Sequence, residues 1–477
     1  MKTCFQPVPR VVSALLAAAA VFILPCALAD DHYAARNGQT PIAPYTTWVT
    51  AASSIQDAVN AATTNDTVWV GPGRYTVPTN SVFYIGTNVV YIDKPLTLRG
   101  SSGSYSDTII DGSGTNRGVA AVYRTSVAGT RIVIDGLTVS NCFATNSGGG
   151  ILFDSFDYAL AGVVQNCNVS DNTVAWGSNS YIWLPPASRG GGICSYSRQM
   201  SNGTAQLILS NCVVRNNKAL SRGPIGDDLG VGGGVAVRSS GLKNFYNCLF
   251  ENNSAGGGGA VYIYAGTQNT IENCVIRSNR AISAGNTAWV HGGGLYFSSG
   301  THVLRNNLIH HNQSDGFGGG VSVAYGIGLL DDCTIVSNTA AATWGSGLNL
   351  SFTPQGAGLR VRNSIVYDNW KTNENIRMDG LGTNSFFTNC CLSMTNSLSG
   401  SVTNILGTGN FTNAPLFIDV AGQNFRLRAD SPCLNTGTNQ AWMADSADLE
   451  GRARIRYGAV DMGACEVVYE GALFGIR

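Results

Sequence analysis

The most regular feature of the chain is an alternation of apolar and polar positions that recurs about every 26 residues. A cysteine, or a residue in its place, marks the same point in each repeat, at positions 142, 167, 212, 248, 274, 307, 333, 364 and 390. Apolar residues stand three positions before the marker, as Val139, Val164, Leu209, Phe245, Ile271, Leu304, Leu330, Val361 and Phe387. Another apolar row stands two positions after it, as Val169, Val214, Phe250, Ile276, Ile309, Ile335 and Val366. This spacing predicts short β-strands with one face turned inward.

Asparagine and glycine punctuate each repeat. Asparagine stands just before the marker and again five positions after it, and because Asn tolerates left-handed backbone angles, both rows predict corners. Asn side chains stacked at a corner can also hydrogen-bond along the stack. A glycine run then opens a further strand, as in "GGGGAVYIY" at 256–264. Three short strands per repeat predict an all-β parallel solenoid of about a dozen coils.

The composition agrees with an extended β-protein. Apolar residues make up 44% of the 477 residues and charged residues only 12%, while glycine occurs 59 times. The formal net charge is zero and no basic stripe is present, so we expect no nucleic-acid partner.

The N-terminus has the pattern of a signal peptide. Lys2 and Arg10 precede the apolar run "VVSALLAAAAVFIL", and "ALA" at 27–29 predicts cleavage after Ala29. A lipid anchor on Cys26 is the weaker alternative. No later segment reaches eighteen apolar residues, so we expect a secreted or cell-surface protein without a transmembrane segment.

The repeated tetrapeptides GGx[IVL] and [FIV]xxN resemble those of right-handed parallel β-helix proteins, including polymorphic outer-membrane and autotransporter passenger domains. The stretch "SIQDAVNAATTNDTVWVGPGRYT" (54–76) resembles the N-terminal cap of the pectin-lyase-like superfamily, which implies a short capping helix. Residues 413–466 resemble the choice-of-anchor Q domain, which implies a C-terminal closing module. These likenesses are specific for fold but not for activity.

The predicted organisation follows from these segments. It comprises a signal peptide (1–29), an N-terminal cap with the first coils (30–112), the β-helix repeats (113–395), the closing module (396–467) and a tail (468–477).

Enlarged loops leave one corner of the solenoid and carry aromatic residues, as does the strand that follows them. We predict that these aromatic residues bind an extended polar ligand such as a polysaccharide or cell-surface glycan. The alternative is that they only pin long loops to the rod. The predicted binding residues are Trp176, Trp183, Tyr196, Tyr262, Tyr264, Trp289 and Tyr296.

Catalysis needs ionisable groups, and the chain offers few candidates. Arg238, His291 and the pair Asp227 and Asp228 are the candidate catalytic residues of a lyase or glycoside hydrolase. The Asp pair is also a candidate calcium site, and we expect no other cofactor. No known family's catalytic motif matches residue by residue, and no nucleophile motif such as G-x-S-x-G is present.

Two outward columns alternate in charge, and a catalytic stripe is one interpretation of the second. Pairing of opposite charges between successive coils is the favoured one. The columns are Glu272, Arg305, Asp331 and Arg362, and Arg215, Glu251, Arg277 and His310.

Eleven cysteines remain after residue 29. We expect the marker cysteines to be buried and reduced, because in-register neighbours lie about 4.8 Å apart, farther than a disulfide prefers. Cys433 and Cys465 are the candidate disulfide.

The favoured function is therefore an exported, surface-associated monomer that binds a glycan or a cell surface, as an adhesin does. A polysaccharide-degrading enzyme and an inert structural stalk are the alternatives.

Overall fold

The computed structural model describes most of the chain after the predicted signal peptide. It covers residues 29–77, 82–83, 86–123, 131–155, 161–175, 188–197, 205–220, 230–266, 268–283, 290–341, 345–351, 358–369, 375–378, 385–393, 398–400 and 406–468. In this part of the chain the strands form four long sheets and one hairpin.

Each long sheet runs along the solenoid and takes one strand from each successive coil. Sheet 1 has twelve strands: Asp31–Ala34, Thr67–Val70, Thr97–Gly100, Arg131–Asp135, Ala161–Gln165, Gln206–Ser210, Lys243–Tyr246, Asn269–Glu272, Gly300–Arg305, Gly326–Asp331, Gly358–Arg362 and Phe386–Thr388. Sheet 2 has eleven: Gly73–Tyr75, Thr108–Asp111, Thr138–Ser140, Asn168–Ser170, Val213–Arg215, Leu249–Glu251, Val275–Arg277, Leu308–His310, Thr334–Val336, Ile365–Tyr367 and Cys391–Leu392.

The other two sheets complete the coil. Sheet 3 has seven short strands: Phe143–Ala144, Thr173–Ala175, Lys218–Leu220, Ser254–Ala255, Arg280–Ala281, Gln313–Ser314 and Thr339–Ala340. Sheet 4 has twelve: Val82–Phe83, Gly86–Ile92, Arg117–Tyr123, Ile151–Ser155, Ile193–Ser197, Val235–Arg238, Val261–Ile263, Leu295–Phe297, Val321–Ala324, Leu348–Ser351, Ile376–Met378 and Leu398–Gly400. Neighbouring strands are parallel, apart from an antiparallel pairing of Val82–Phe83 with Gly86–Ile92. The prediction of three strands per coil therefore missed sheet 3, whose strands of two or three residues are too short for an alternation to show.

The predicted inward rows form the core. Both apolar rows flanking the marker are fully buried and belong to one continuous cluster that runs the length of the solenoid. The marker cysteines are buried free thiols, as predicted.

The first corner of each coil, between sheets 1 and 2, is left-handed at the residue before the marker. Asn141, Asn247 and Asn306 there have φ angles of 52°, 54° and 52°, as the asparagine row predicted. At the second corner the left-handed residue lies one position earlier than predicted, as at Asn252 (φ 54°) and Ser278 (φ 56°).

The asparagines of the second corner have another role, because they form a buried ladder. The side-chain Nδ2 of Asn253 donates to Oδ1 of Asn279 at 2.9 Å, and Asn279 donates to Asn312 in the same way. The backbone N–H of each also donates to the next side chain, at 2.9 and 3.0 Å. The predicted stacking of corner asparagines is thus confirmed, and it satisfies backbone groups that the interior would otherwise leave unpaired.

The glycine run makes the turn into sheet 4. Gly258 has a φ of +61°, and a Cβ on it would lie 2.4 Å from the carbonyl oxygen of Val261. A Cβ on Gly259 would lie 2.2 Å from the carbonyl oxygen of Gly293 on the next coil. The turn therefore accepts no side chain at either position.

The N-terminal end is closed by the predicted helix, Ile55–Ala61. Ser54 caps it by accepting a hydrogen bond from the Asp57 N–H, and Ile55, Ala58 and Val59 are buried. Strand Asp31–Ala34 adds an edge to sheet 1 beyond the helix and pairs with Thr67–Val70.

Within the predicted closing module (396–467), residues 398–400 form a strand of sheet 4, and we keep the name closing module for residues 406–467. It contains the antiparallel hairpin Phe417–Asp419 and Asn424–Leu427 and the 3₁₀ helix Ala441–Met443. It packs on the last coils, where buried Arg454 donates to Oδ1 of Asp332 at 2.6 Å and pairs with Oε1 of Glu466 at 3.3 Å. Within the described ranges, no helix combines the length and the apolar character needed to cross a membrane.

Candidate functional site

The outer face of sheet 4 carries the predicted binding residues that the structure describes, Tyr196, Tyr262, Tyr264 and Tyr296. Tyr262 and Tyr296 are register partners, and Tyr196 pairs with Arg238 on the next coil. A second outward row precedes the glycine turns, where Arg189, Val231, Gly257, His291 and Phe317 form successive bridges. We call the following residues the tyrosine face: Arg189, Tyr196, Arg238, Tyr262, Tyr264, His291, Tyr296 and Phe317.

The tyrosines pack against one another. The rings of Tyr262 and Tyr296 lie 5.3 Å apart at 45°, and both contact a small apolar cluster with Val231, Ala236 and Tyr264. Tyr262 is 8% exposed, whereas Tyr264 and Tyr296 are half-buried. Burial raises the pKa of Tyr262, so its phenol stays neutral. Tyr264 and Tyr296 are thus the tyrosines here that present ring surface to solvent.

Two guanidinium groups lie over tyrosine rings. Arg238 is 5.2 Å from the centroid of Tyr264, and Arg189 is 5.6 Å from that of Tyr196. Such cation–π contacts hold a charged group in place while its edge can still donate hydrogen bonds. Arg238 is half-buried, but Arg189 and Tyr196 are buried.

His291 forms part of the wall of this face. Its ring is stacked between Tyr296 at 4.8 Å and Phe317 at 4.7 Å. Its Nδ1 lies 3.2 Å from Oγ of Ser322. Burial lowers the pKa of His291 to about 4, so the imidazole is neutral at pH 7. At 1% exposure it supports the neighbouring rings and is not open to a substrate.

The structure brings only part of the predicted site together. Arg238, Tyr264 and Tyr296 are accessible side by side, whereas Tyr196, Tyr262 and His291 lie beneath the surface. The remaining predicted site residues, Trp176, Trp183, Asp227, Asp228 and Trp289, lie outside the described residues.

Sequence reasoning missed Phe317, which completes the stack around His291. The signal was present, because both residues directly precede a GGG run, in "HGGG" and "FGGG". That position forms a row of its own along the outside of the solenoid.

Carboxylates are scarce on this face. Asp154 is the register partner of Tyr196 and is 1% exposed. Its charge lies near the guanidinium of Arg117, itself fully buried. Among the described residues, no three His, Cys, Asp or Glu side chains group as metal ligands would.

The charged columns on sheets 1 and 2 contain ion pairs between coils. Nε of Arg277 donates to Oε1 of Glu251 at 2.7 Å. Arg362 donates to both carboxylate oxygens of Asp331, at 2.8 and 3.0 Å. His310 is buried under Phe425 of the closing module. These contacts agree with the pairing interpretation and leave no room for a catalytic stripe through His310.

A surface cavity of about 280 Å³ lies at the N-terminal end, beside the first coils. Its lining includes Arg36, Asn37, Trp48 and Ser101. The Trp48 ring is held edge-on to Tyr33 at 4.6 Å. This cavity belongs to the cap and the turns that follow sheet 1, not to the tyrosine face.

The comparisons with known proteins decide the fold. The family model for the right-handed β-helix region matches residues 123–324. The crystal structure of pectate lyase Pel9A is similar over 92% of this chain and 96% of that chain, with a TM-score of 0.52 and 16% identity. The chain folds as a right-handed parallel β-helix.

More distant likenesses exist to ORF18 of Geobacillus virus E2 (TM-score 0.30, 11% identity) and to the PL6 family alginate lyase AlyGC (TM-score 0.31, 13% identity). They cover 75% and 74% of this β-helix, which spans 55% and 52% of their own chains. No curated protein matches the sequence. At 16% identity the likeness to pectate lyase Pel9A shows the fold and not the activity.

Proposed function

We propose that this protein is an exported, surface-associated β-helix that binds an extended glycan along the tyrosine face. The observation that carries the proposal is the accessible group formed by Arg238, Tyr264 and Tyr296 on neighbouring coils of sheet 4.

The chemistry of this group suits a sugar polymer. The apolar faces of pyranose rings pack on aromatic rings, while phenol and guanidinium groups donate hydrogen bonds to hydroxyl or carboxylate oxygens. Equivalent positions recur on each coil at about 4.8 Å. An extended ligand that lies along the solenoid therefore meets several of them at once.

Binding is favoured over hydrolysis because a glycoside hydrolase needs two carboxylic acids flanking the scissile bond. Among the described outward residues next to the tyrosine face, the carboxylate is that of Asp154, the register partner of Tyr196, and it is buried. The signal-peptide pattern of residues 1–29 supports export to a compartment where extended glycans occur.

A binding assay with matched variants tests the proposal. The full-length mature chain is screened on a glycan array, and the affinity for the best ligand is measured by calorimetry. We expect Tyr264→Ala and Tyr296→Ala each to weaken binding about tenfold, as loss of an aromatic contact does. Tyr105→Ala, which removes an exposed tyrosine from a loop near the N-terminal end, is the control and should bind normally. Equal loss in all three variants, or no bound glycan, would contradict the proposal.

A polysaccharide lyase is the second candidate, favoured by the likeness to a pectate lyase over nearly the whole of both chains. In a lyase, Arg238 would neutralise the uronate carboxylate before proton abstraction. Uronate polysaccharides are incubated with the protein while the ultraviolet absorbance of unsaturated products and the number of reducing ends are followed. Turnover that Arg238→Ala abolishes would replace the binding proposal with this one. If the protein neither binds a glycan nor cleaves one, a structural stalk is the function that remains.

A further inference from the structure

Two cysteines meet where the closing module packs on the last coil of sheet 2. Cys391 lies in strand Cys391–Leu392, and Cys433 lies in the closing module after the hairpin. Both are fully buried in one apolar cluster that also contains Ile365, Phe425 and Met462. Cys390, one residue earlier, belongs instead to the interior of the solenoid. The strand therefore turns Cys391 toward the module.

Hydrogen bonds fix the chain on both sides of this contact. The Cys391 thiol donates to the carbonyl of Asn413 at 3.2 Å. Two residues further on, the carbonyl of Pro415 accepts from Oγ of Ser431 at 2.6 Å. The same Oγ accepts from the N–H of Cys433 at 3.1 Å. These bonds bring the backbone of Cys433 to the segment that Cys391 already touches.

The Cys433 thiol also lies in hydrogen-bond contact with that of Cys391. The pKa of Cys391 is raised, first by its hydrogen-bond contact with the Cys433 thiol and then by burial. Along the marker column burial is the first cause of the raised pKa of Cys212 and Cys248, and contacts with neighbouring thiols follow it.

Other pairings are less suited to a covalent bond. The marker cysteines are held by in-register strands about 4.8 Å apart with parallel Cβ directions, which disfavours a disulfide. Cys465, the partner predicted for Cys433, is a free thiol in the structure, as Cys433 is. Burial is the first cause of the raised pKa of Cys465, and the charged groups that also shift it are Glu450, Asp448, Arg454 and Arg426. Cys391 and Cys433 do not lie on paired strands, so the strand spacing of about 4.8 Å does not hold them apart.

We propose that Cys391 and Cys433 form a disulfide that fastens the closing module to the end of the β-helix. Two thiols lose two protons and two electrons as one S–S bond forms. The oxidant is the disulfide form of a thiol–disulfide couple, whose S–S bond breaks to give two thiols that take up those protons and electrons. Because the raised pKa of Cys391 keeps it mostly in the thiol form, exchange is slow after docking, and the bond forms as the module docks.

Peptide mapping tests the bond in the full chain. The protein is folded with oxidised glutathione, its free thiols are alkylated under denaturing conditions without reductant, and it is digested with trypsin. Cys391 falls in peptide 378–426 together with Cys390, Cys433 in peptide 429–452, and Cys465 in peptide 457–477. We expect peptides 378–426 and 429–452 to be linked, with a mass about 2 Da below their sum.

Three variants assign the linkage. The linked species should survive in Cys390→Ser and Cys465→Ser and disappear in Cys391→Ser. Alkylated Cys433 in the oxidised wild type, or a link from it to peptide 457–477, would overturn the proposal. So would a link that survives in Cys391→Ser.

Thermal unfolding supplies a second measurement that does not depend on a variant folding normally. The Tm of the oxidised wild type should fall when a phosphine reductant is added, and the Tm of Cys465→Ser should fall equally. A Tm of the wild type that is the same with and without reductant would contradict a bond that holds the module in place.

Discussion

The outer faces of sheets 1 and 2 and the outer face of sheet 4 stack their side chains on the same solenoid, but they fill those positions differently. On sheets 1 and 2 opposite charges meet between coils, as in the pairs of Arg277 with Glu251 and Arg362 with Asp331. On sheet 4 rings stack on rings, and Arg238 lies over Tyr264. A face whose charges neutralise one another offers a ligand little, whereas an aromatic face with an accessible guanidinium offers both packing and hydrogen bonds.

The closing module extends this difference to the C-terminal end. It covers sheets 1 and 2 through Asp332, through His310 under Phe425, and through Arg305, whose guanidinium lies 4.8 Å from the centroid of the Trp442 ring. These contacts stabilise the C-terminal end through sheets 1 and 2, whereas the proposed glycan-binding residues lie on sheet 4. The following predictions test that division, beginning with the largest effect.

Arg454→Met should cause the largest loss of stability, about 3–5 kcal/mol at pH 8, because it leaves buried Asp332 and Glu466 without their cation. The pKa values of these carboxyls are already raised, to about 7 and about 8, mainly by burial. Carboxyls with raised pKa values stabilise the fold below their unfolded values, near 4, and lose that contribution as the pH rises to about 8. The variant should therefore be much less destabilised at pH 5 than at pH 8, as measured by denaturant unfolding. An equal loss of stability at pH 5 and pH 8 would show that Arg454 does not stabilise the fold through Asp332 and Glu466.

Gly258→Ala should cost about 2–3 kcal/mol, because Gly258 is left-handed and its Cβ would collide with the Val261 carbonyl. Gly257→Ala is the matched control. Its backbone is not left-handed, and the nearest atom to a Cβ there is Cδ1 of Tyr296, at 3.3 Å. The control should change the free energy of unfolding by about 0.5 kcal/mol or less. Equal losses of stability in the two variants would show that the left-handed turn at Gly258 is not the cause of the loss.

His291→Phe should change stability by about 1 kcal/mol at pH 7, because it keeps a ring between Tyr296 and Phe317 but loses the contact with Ser322. The pKa of His291 is lowered to about 4 by burial. Below pH 6.5 the unfolded state binds a proton that the folded state binds only near pH 4, so wild-type stability falls over that interval. The variant should lose less stability between pH 6.5 and pH 4 in thermal melts. A wild type and variant with the same acid profile would refute the assignment of His291 as a buried neutral ring.

The parts of the fold that depend on repeated spacing could be predicted from the sequence. The inward rows, the left-handed Asn141 and its equivalents and the Asn253–Asn279 ladder all follow from columns that one sequence displays many times. The capping helix follows instead from the resemblance of residues 54–76 to a family cap. Sheet 3 could not be predicted, because a strand such as Ser254–Ala255 is too short to alternate. The second left-handed corner was placed one residue too late because the asparagine row marks the buried ladder, while the left-handed position before it varies in residue type, as at Asn252 and Ser278.

The sequence predicted which strand residues lie on the outer face of sheet 4, but not how deeply each of them is buried. Strand alternation correctly turns Tyr262 outward, and His291 from the enlarged loop lies on the outer row beside it. Both are buried, because outward from the solenoid does not mean exposed to solvent. Contacts between distant segments, such as Arg454 with Asp332 and Cys433 with Cys391, have no periodicity to reveal them. Such contacts depend on how the closing module packs, which spacing in the sequence does not encode.

Arg277→Gln should have the smallest effect on stability, about 0.5 kcal/mol or less, because its guanidinium is partly exposed and its pairing with Glu251 is screened by solvent. Arg238→Gln on sheet 4 is the matched variant, because both arginines end short strands and point outward. We expect similar Tm values for the two variants, with glycan affinity lowered about tenfold in Arg238→Gln alone. Thermal melts and calorimetric titration with the same glycan measure both quantities. If Arg277→Gln weakened binding as much as Arg238→Gln, recognition would depend on the overall charge of the rod rather than on the aromatic face of sheet 4.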